Sequence, residues 1–232
     1  MATMLRACTS VFLISFIQGT CNVLASVQAA PPNPLPYAVY NDSMNGSSCS
    51  DISGVINATN TYRAWHQSPP LAWDPSLAAD AQAYADELAA KQCELEHAAV
   101  GGECLYSVVT YPKPDWSCRR AVDAWYSEMK LYDFTAGNPY DYNIPRGTGH
   151  FVQLVWRSSA VFGCGVGKAD VPMSRMPGGY GGCKIVVCRY RTGFKANNLE
   201  FQENAVVLFV TRRKAHARLH VQRRPTYCNH AY

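Results

Sequence analysis

Apolar residues recur at helical spacing in three stretches of the first 130 residues. Ile52, Val55, Ile56, Thr59 and Tyr62 line one face of a segment that Ser50 or Asp51 is suited to cap. Pro69-Pro70 ends it. Asp74-Pro75 reads as a cap followed by a first-turn proline, and Leu77, Ala78, Ala81, Tyr84, Ala85 and Leu88 give a second amphipathic helix rich in alanine. A third helix is predicted over 115–130, with Val122, Trp125, Tyr126 and Met129 as its apolar stripe. Between the second and third helices, residues 105–116 are aromatic and carry Pro112 and Pro114, which reads as a loop. Beyond residue 150 the pattern changes. Gly163-Cys164-Gly165-Val166 and residues 184–190 read as strands, with the glycine-rich 172–182 as the turn between them. Ala205 to Val210 is a last apolar run, also read as a strand. Helices first and strands later predict an α+β domain with helices packed on a sheet.

Length and composition keep this to one globular domain, or one domain plus tails: 232 residues, 48% hydrophobic and 16% charged. The N-terminus has one charge, Arg6, before the apolar run Val11 to Ile17, and then small residues at Val23-Leu24-Ala25 and Val27-Gln28-Ala29. That is the pattern of a secretory signal peptide over 1–29, cleaved between 25 and 30. The run is too short to span a membrane, which takes about 20 residues. Residues 30–48 form a Pro-rich, then Ser/Asn-rich leader, and 49–210 the folded domain. The tail over 211–232 holds Arg212, Arg213, Lys214, Arg218, Arg223 and Arg224 and no acid, so the net charge of +4 sits at this end. Such a tail suits an anionic surface or polysaccharide, or is a solvated end. The expectation is a secreted, extracellular protein with no transmembrane segment and no nucleic-acid partner.

Cysteine usage agrees with that compartment. Cleavage removes Cys8 and Cys21 and leaves Cys49, Cys93, Cys104, Cys118, Cys164, Cys183, Cys188 and Cys228. An even number in a secreted chain implies a disulfide framework whose connectivity the spacing does not settle. Asn41, Asn45 and Asn57 each begin a glycosylation signal, the first two in a stretch that reads as exposed.

The stretch Gly149-His150-Phe151-Val152-Gln153-Leu154-Val155-Trp156 puts a histidine on a compact turn leading into a buried segment. Three stretches upstream give it company. They are Asn60-Thr61-Tyr62-Arg63 through Pro70-Leu71-Ala72-Trp73, then Cys93-Glu94-Leu95-Glu96-His97 with Gly102-Glu103, then Ala121-Val122-Asp123-Ala124-Trp125-Tyr126-Ser127-Glu128. Downstream follow Gly163-Cys164-Gly165 and Val187-Cys188-Arg189-Tyr190. In this order the pieces resemble the CAP superfamily, also called SCP: cysteine-rich secretory proteins, venom antigen five and plant pathogenesis-related protein one.

The resemblance implies an α-β-α sandwich, with a central, mostly antiparallel sheet flanked by helices. It also implies a cleft holding His97, Glu103, Glu128 and His150. Two imidazoles and two carboxylates suit a divalent cation, zinc foremost, which the fold does not require. Four features depart from the family. Cys104 stands where Asn is usual, Val152 replaces Thr, Arg191-Thr192-Gly193-Phe194 replaces the plant Pro-x-Gly-Asn run, and the basic tail lies outside the common core. Cys164–Cys188 and Cys93–Cys183 resemble family pairings. With those assigned, Cys104–Cys118 closes the aromatic loop and Cys49–Cys228 ties leader to tail. A Cys104 left free lies instead beside the cleft, as a reactive thiol or metal ligand.

Some family members bind sterols through an aromatic-rich loop, and here Tyr106, Val108, Val109, Tyr111 and Trp116 are the candidates. The reading favoured is a secreted, non-enzymatic protein that binds a sterol or other small lipid and has a divalent-cation cleft. One alternative is a zinc-assisted hydrolase, in which Glu103 or Glu128 takes a proton from metal-bound water. Against it, the chain has no His-Glu-x-x-His helix and no Gly-x-Ser-x-Gly elbow. A defence or virulence factor acting through a partner surface is the other alternative.

Overall fold

The computed structural model describes residues 46–204. The expected signal peptide over 1–29, most of the expected leader, Asn41, Asn45, the run 205–210, the basic tail and Cys228 lie outside the described residues. Six helices and four strands follow in the order α1 (Ile52–Trp65), β1 (Ala72–Trp73), α2 (Pro75–Ala90), β2 (Glu103–Thr110), α3 (Arg119–Ser127), α4 (Pro139–Asn143), α5 (Gly149–Val155), β3 (Val161–Pro172), β4 (Tyr180–Tyr190) and α6 (Asn198–Asn204). The sheet order is β1-β3-β4-β2. β3 and β4 form an antiparallel hairpin, β2 adds antiparallel to β4, and the two-residue β1 runs parallel to β3.

Helices cover both faces of this sheet. On one side α2 lays Ala81, Ala85, Leu88 and Ala89 against Leu105, Ile185 and Val187. On the other, Val55 and Ile56 of α1, Val122 and Trp125 of α3 and Leu154 of α5 pack on Phe162, Val166, Val186 and Tyr190. The alternation of strand side chains divides the two sets. The α-β-α sandwich is therefore the architecture of the described residues.

The α2 face is unusually close. A Cβ placed on Gly163 would lie 2.3 Å from the Ala78 nitrogen, one on Gly165 2.3 Å from the Gln82 Cα, and one on Gly167 2.1 Å from the Ala85 carbonyl oxygen. Every second residue of β3 is thus stripped of its side chain where the helix backbone passes. The Gln82 amide uses that proximity, accepting from Val166 N and donating to its carbonyl, as a neighbouring strand would.

Several elements differ from the sequence expectation. Asp74 caps α2 as expected, its Oδ1 accepting from the backbone of Ser76 and Leu77. Asp51 precedes α1 but its side chain does not cap it; the carboxylate accepts from Cys118 N and Arg119 N and so caps α3. Helix α3 starts at Arg119 rather than 115, because Asp115 closes its own turn onto Ser117. The largest change is at 105–116. Residues 103–110 are a strand, and only 111–116 are loop. Tyr106, Val108, Val109 and Thr110 are strand formers, and the prolines begin after them. His150 lies in the first turn of a short helix, α5, whose residues 151–155 are all buried.

The disulfide pattern also changes. Cys93–Cys183 and Cys164–Cys188 form as the resemblance implies. Cys49 pairs with Cys118, not Cys228, and Cys104 is a buried free thiol rather than the partner of Cys118. Packing explains this. The starts of α1 and α3 lie side by side, joined by Asp51 and by a bond from Ser50 N to the Trp116 carbonyl, which brings Cys49 to Cys118. Cys104 is held in the β2–β4 ladder opposite Cys188.

Candidate functional site

Glu103 is the first residue of β2, and Arg189 is its partner across the ladder. Gly102 delivers the chain to this point. Its φ of +73° favours glycine, and a Cβ would lie 2.7 Å from the carbonyl oxygen of Tyr190, whose N–H donates to the Gly102 carbonyl. The Glu103 side chain is 1% exposed. Its Oε1 accepts from Ala98 N and meets His97 Nδ1, each at 3.0 Å, and its Oε2 accepts from Arg189 Nε at 3.2 Å. Arg189 in turn lies over the Tyr84 ring. A buried carboxylate is tolerated here because every oxygen has a donor and one donor is a guanidinium.

Glu128 follows α3 as its C-cap, and its Oε1 meets His150 Nδ1 at 2.7 Å while Oε2 accepts from Phe151 N. The His150 ring stacks near Trp125, whose indole N–H donates to the Leu105 carbonyl of β2. The four residues singled out by sequence therefore form two matched histidine–glutamate pairs. In both rings Nδ1 faces a carboxylate, and Nε2 has no partner among the described residues. This is the arrangement in which a carboxylate fixes the orientation of an imidazole.

Cys104 connects the pairs. It is buried beside both carboxylates and in hydrogen-bond contact with the Tyr190 hydroxyl. Burial first, then Glu128 and Glu103, push its thiol well above the ordinary range, so it is held as the protonated thiol. That argues against Cys104 as a thiolate ligand or as a thiol open to reagents in solvent. Among the described residues, no three His, Cys, Asp or Glu side chains are grouped closely enough to hold a metal ion together. The two pairs are therefore not a four-residue cage.

The lipid candidates separate. Tyr106 packs against the α1/α3 core and Val108 is half-buried, whereas Val109, Tyr111 and Trp116 are exposed. Tyr180, at the start of β4, is exposed near them. Lys168 Nζ lies 4.5 Å above the Trp116 ring. Beside it a pocket of about 190 Å³ is lined by Lys113, Pro114, Lys168, Asp170 and Gly182. It is smaller than the roughly 300 Å³ at which ligand-enclosing sites begin. This aromatic end and the histidine–glutamate pairs occupy opposite ends of β2. At about 3.3 Å per residue, Glu103 and Thr110 are some 23 Å apart.

The sequence profile of the cysteine-rich secretory protein family, CAP, matches residues 56–190. The chain belongs to the CAP family. It is 32% identical over 155 residues to the human Golgi-associated plant pathogenesis-related protein 1, covering 66% of this chain and 90% of that protein. It is 33% identical over 135 residues to pathogenesis-related protein 1A of Nicotiana tabacum, covering 58% of this chain and 71% of that one. Among solved structures, NaASP2 with Zn2+ shares 20% identity at a TM-score of 0.42, over 64% of this chain and 83% of that chain. No helix among the described residues of this CAP domain is long and apolar enough to cross a membrane.

Two buried groups went unnoticed in the sequence. Arg63 is fully buried and donates to the carbonyls of Pro69, Leu154, Trp156 and Ser159, with no carboxylate among those partners. Burial lowers its pKa to about 10. His66, nearly fully buried against Tyr126 and Phe151, is pushed down to about 4 by burial and is neutral. Tyr62-Arg63 was quoted for the resemblance, but nothing in its spacing marks Arg63 as a core residue.

Proposed function

We propose that this CAP protein is a secreted, non-enzymatic binding protein that takes a sterol or other small lipid at the aromatic end of its sheet. A separate divalent-cation site is held by His97 and His150 at the other end. The observation that carries this is the exposure of Tyr111, Trp116 and Tyr180 at the end of the sheet where β2 ends and β4 begins. The adjoining pocket is too small to enclose a sterol, so the ligand lies across these side chains and is only partly covered. Lys168 and Lys113 stand at the rim, suited to a single polar group on an otherwise apolar molecule.

At the cation site, Nε2 of His97 and of His150 would hold the metal, and Glu103 and Glu128 would orient the two rings through Nδ1. A bound zinc supplies Lewis acidity and a polarised water. Catalytic zinc sites use three protein ligands, whereas two imidazoles are the donors these residues offer, which favours binding over hydrolysis.

Labelled cholesterol or ergosterol titrated into the mature protein tests the lipid reading. Saturable binding that weakens at least about tenfold in Tyr111→Ser/Trp116→Ser is expected; tenfold is about 1.4 kcal/mol, a fraction of what burying two aromatic rings contributes. Absence of binding by the wild type rejects it.

A further inference from the structure

β4 lies between β3 and β2, and one rung of this three-strand array consists of cysteines alone. Cys164 of β3 and Cys104 of β2 are both directly opposite Cys188 of β4. Residues directly opposite point to the same face, with Cα atoms about 4.5–5.5 Å apart. All three are buried in the core facing α1 and α3. Cys164 and Cys188 have Cα atoms 4.0 Å apart, the close pair without backbone bonds, so Cys104 on the other side is the backbone-bonded partner at about 5.5 Å, inside the roughly 4.4–6.8 Å that disulfides span. The structure holds Cys164–Cys188 and leaves Cys104 as the thiol.

We infer that Cys188 is the shared partner of two alternative disulfides, with Cys104 as the resident thiol of an internal exchange. In that step the sulfur of Cys104 attacks Sγ of Cys188. The Cys104–Cys188 bond forms as the Cys164–Cys188 bond breaks, and the proton that leaves Cys104 ends on the departing Cys164 sulfur. One disulfide and one thiol are present before and after, so no oxidant or reductant is consumed.

The two isomers fasten different parts of the sheet. Cys164–Cys188 clamps the β3–β4 hairpin. Cys104–Cys188 clamps the edge strand β2 to β4, one residue from Glu103, and takes Cys104 out of its contact with Tyr190. The exchange thereby acts beside the His97–Glu103 pair while leaving the aromatic end untouched. The cysteine that departs from the family at position 104 has a use in this scheme, as the third member of the rung.

Peptide mapping by mass spectrometry after alkylation of free thiols tests this on the full chain from a secretory host. In Cys164→Ser, Cys104 and Cys188 are expected as a cross-linked peptide with neither alkylated. In Cys188→Ser, Cys104 and Cys164 are both expected free, because they stand two strand spacings, about 10 Å, apart. The wild type covers the case in which a variant does not fold. After brief treatment with limiting dithiothreitol and its removal, a Cys104–Cys188 peptide with alkylated Cys164 is expected beside the original isomer. Alkylation of both Cys104 and Cys188 in folded Cys164→Ser, a Cys104–Cys164 bond in Cys188→Ser, or only Cys164–Cys188 in re-oxidised wild type would overturn the proposal.

Discussion

Glu103 and Arg189 face each other across the β2–β4 ladder, and their side chains are joined there, Arg189 Nε donating to Glu103 Oε2 over 3.2 Å. The carboxylate is buried, so the guanidinium is what makes its charge tolerable beside His97. Arg189→Met should destabilise the domain by about 3 kcal/mol, since removing one partner strands a buried charge. The midpoint of urea unfolding measures this. A change below about 0.5 kcal/mol would show that solvent reaches Glu103.

Arg63 should matter more than its position on a helix suggests. Its guanidinium donates to four carbonyls, among them Leu154 at the end of α5, and only that of Trp156 has a second donor shown, Ser159 N. Arg63→Met keeps the volume and removes the donors. At about 1 kcal/mol or more for each buried acceptor left unpaired, a loss of roughly 3 kcal/mol is expected in the same unfolding assay.

The glycines of β3 give a steric prediction. Gly165→Val puts a branched side chain where even a Cβ meets backbone at 2.3 Å, so α2 must move off the sheet. Overpacking of this kind costs about 3 kcal/mol and should appear as a lowered melting temperature and poor secretion. Tyr180→Ser, on the exposed end of the sheet, should leave the melting temperature unchanged.

His66 sets a pH dependence. Its folded pKa is lowered to about 4 from the ordinary 6.5 by burial, so the unfolded chain binds its proton first as pH falls. Stability contributed by the neutral ring is full above about pH 6.5, declines below that, and is lost by about pH 4, a change of roughly 3 kcal/mol. Asp74, lowered to about 2 mainly by its bond from Ser76, titrates in a more acid window and does not obscure this one. Urea midpoints between pH 7 and pH 4 for the wild type and His66→Gln measure the effect. The slope should flatten in the variant, and equal slopes would assign it elsewhere.

How much was legible follows from what each signal depends on. The α2 cap at Asp74-Pro75 and the β3–β4 pair rest on local chemistry, and local pattern was enough to find them. The four site residues were found through ordered motifs, not periodicity. Their division into two pairs depends on β2 bringing Glu103 against Arg189, which spacing does not show. Pro112 and Pro114 give the whole stretch 105–116 a loop signature that masks the β-formers at its start, which belong to β2. Asp51 and Cys49 find their partners on α3, more than sixty residues away, a tertiary contact with no local trace.

The central claim is that cation and lipid are bound at opposite ends of β2, independently. Titrating labelled sterol into the wild type with and without saturating zinc, beside His150→Ala, tests it most directly. The account predicts one dissociation constant in all three conditions, with zinc binding lost only in the histidine variant. A sterol affinity that shifts with zinc, or that falls in His150→Ala, would contradict it and place the ligand at the histidine–glutamate pairs.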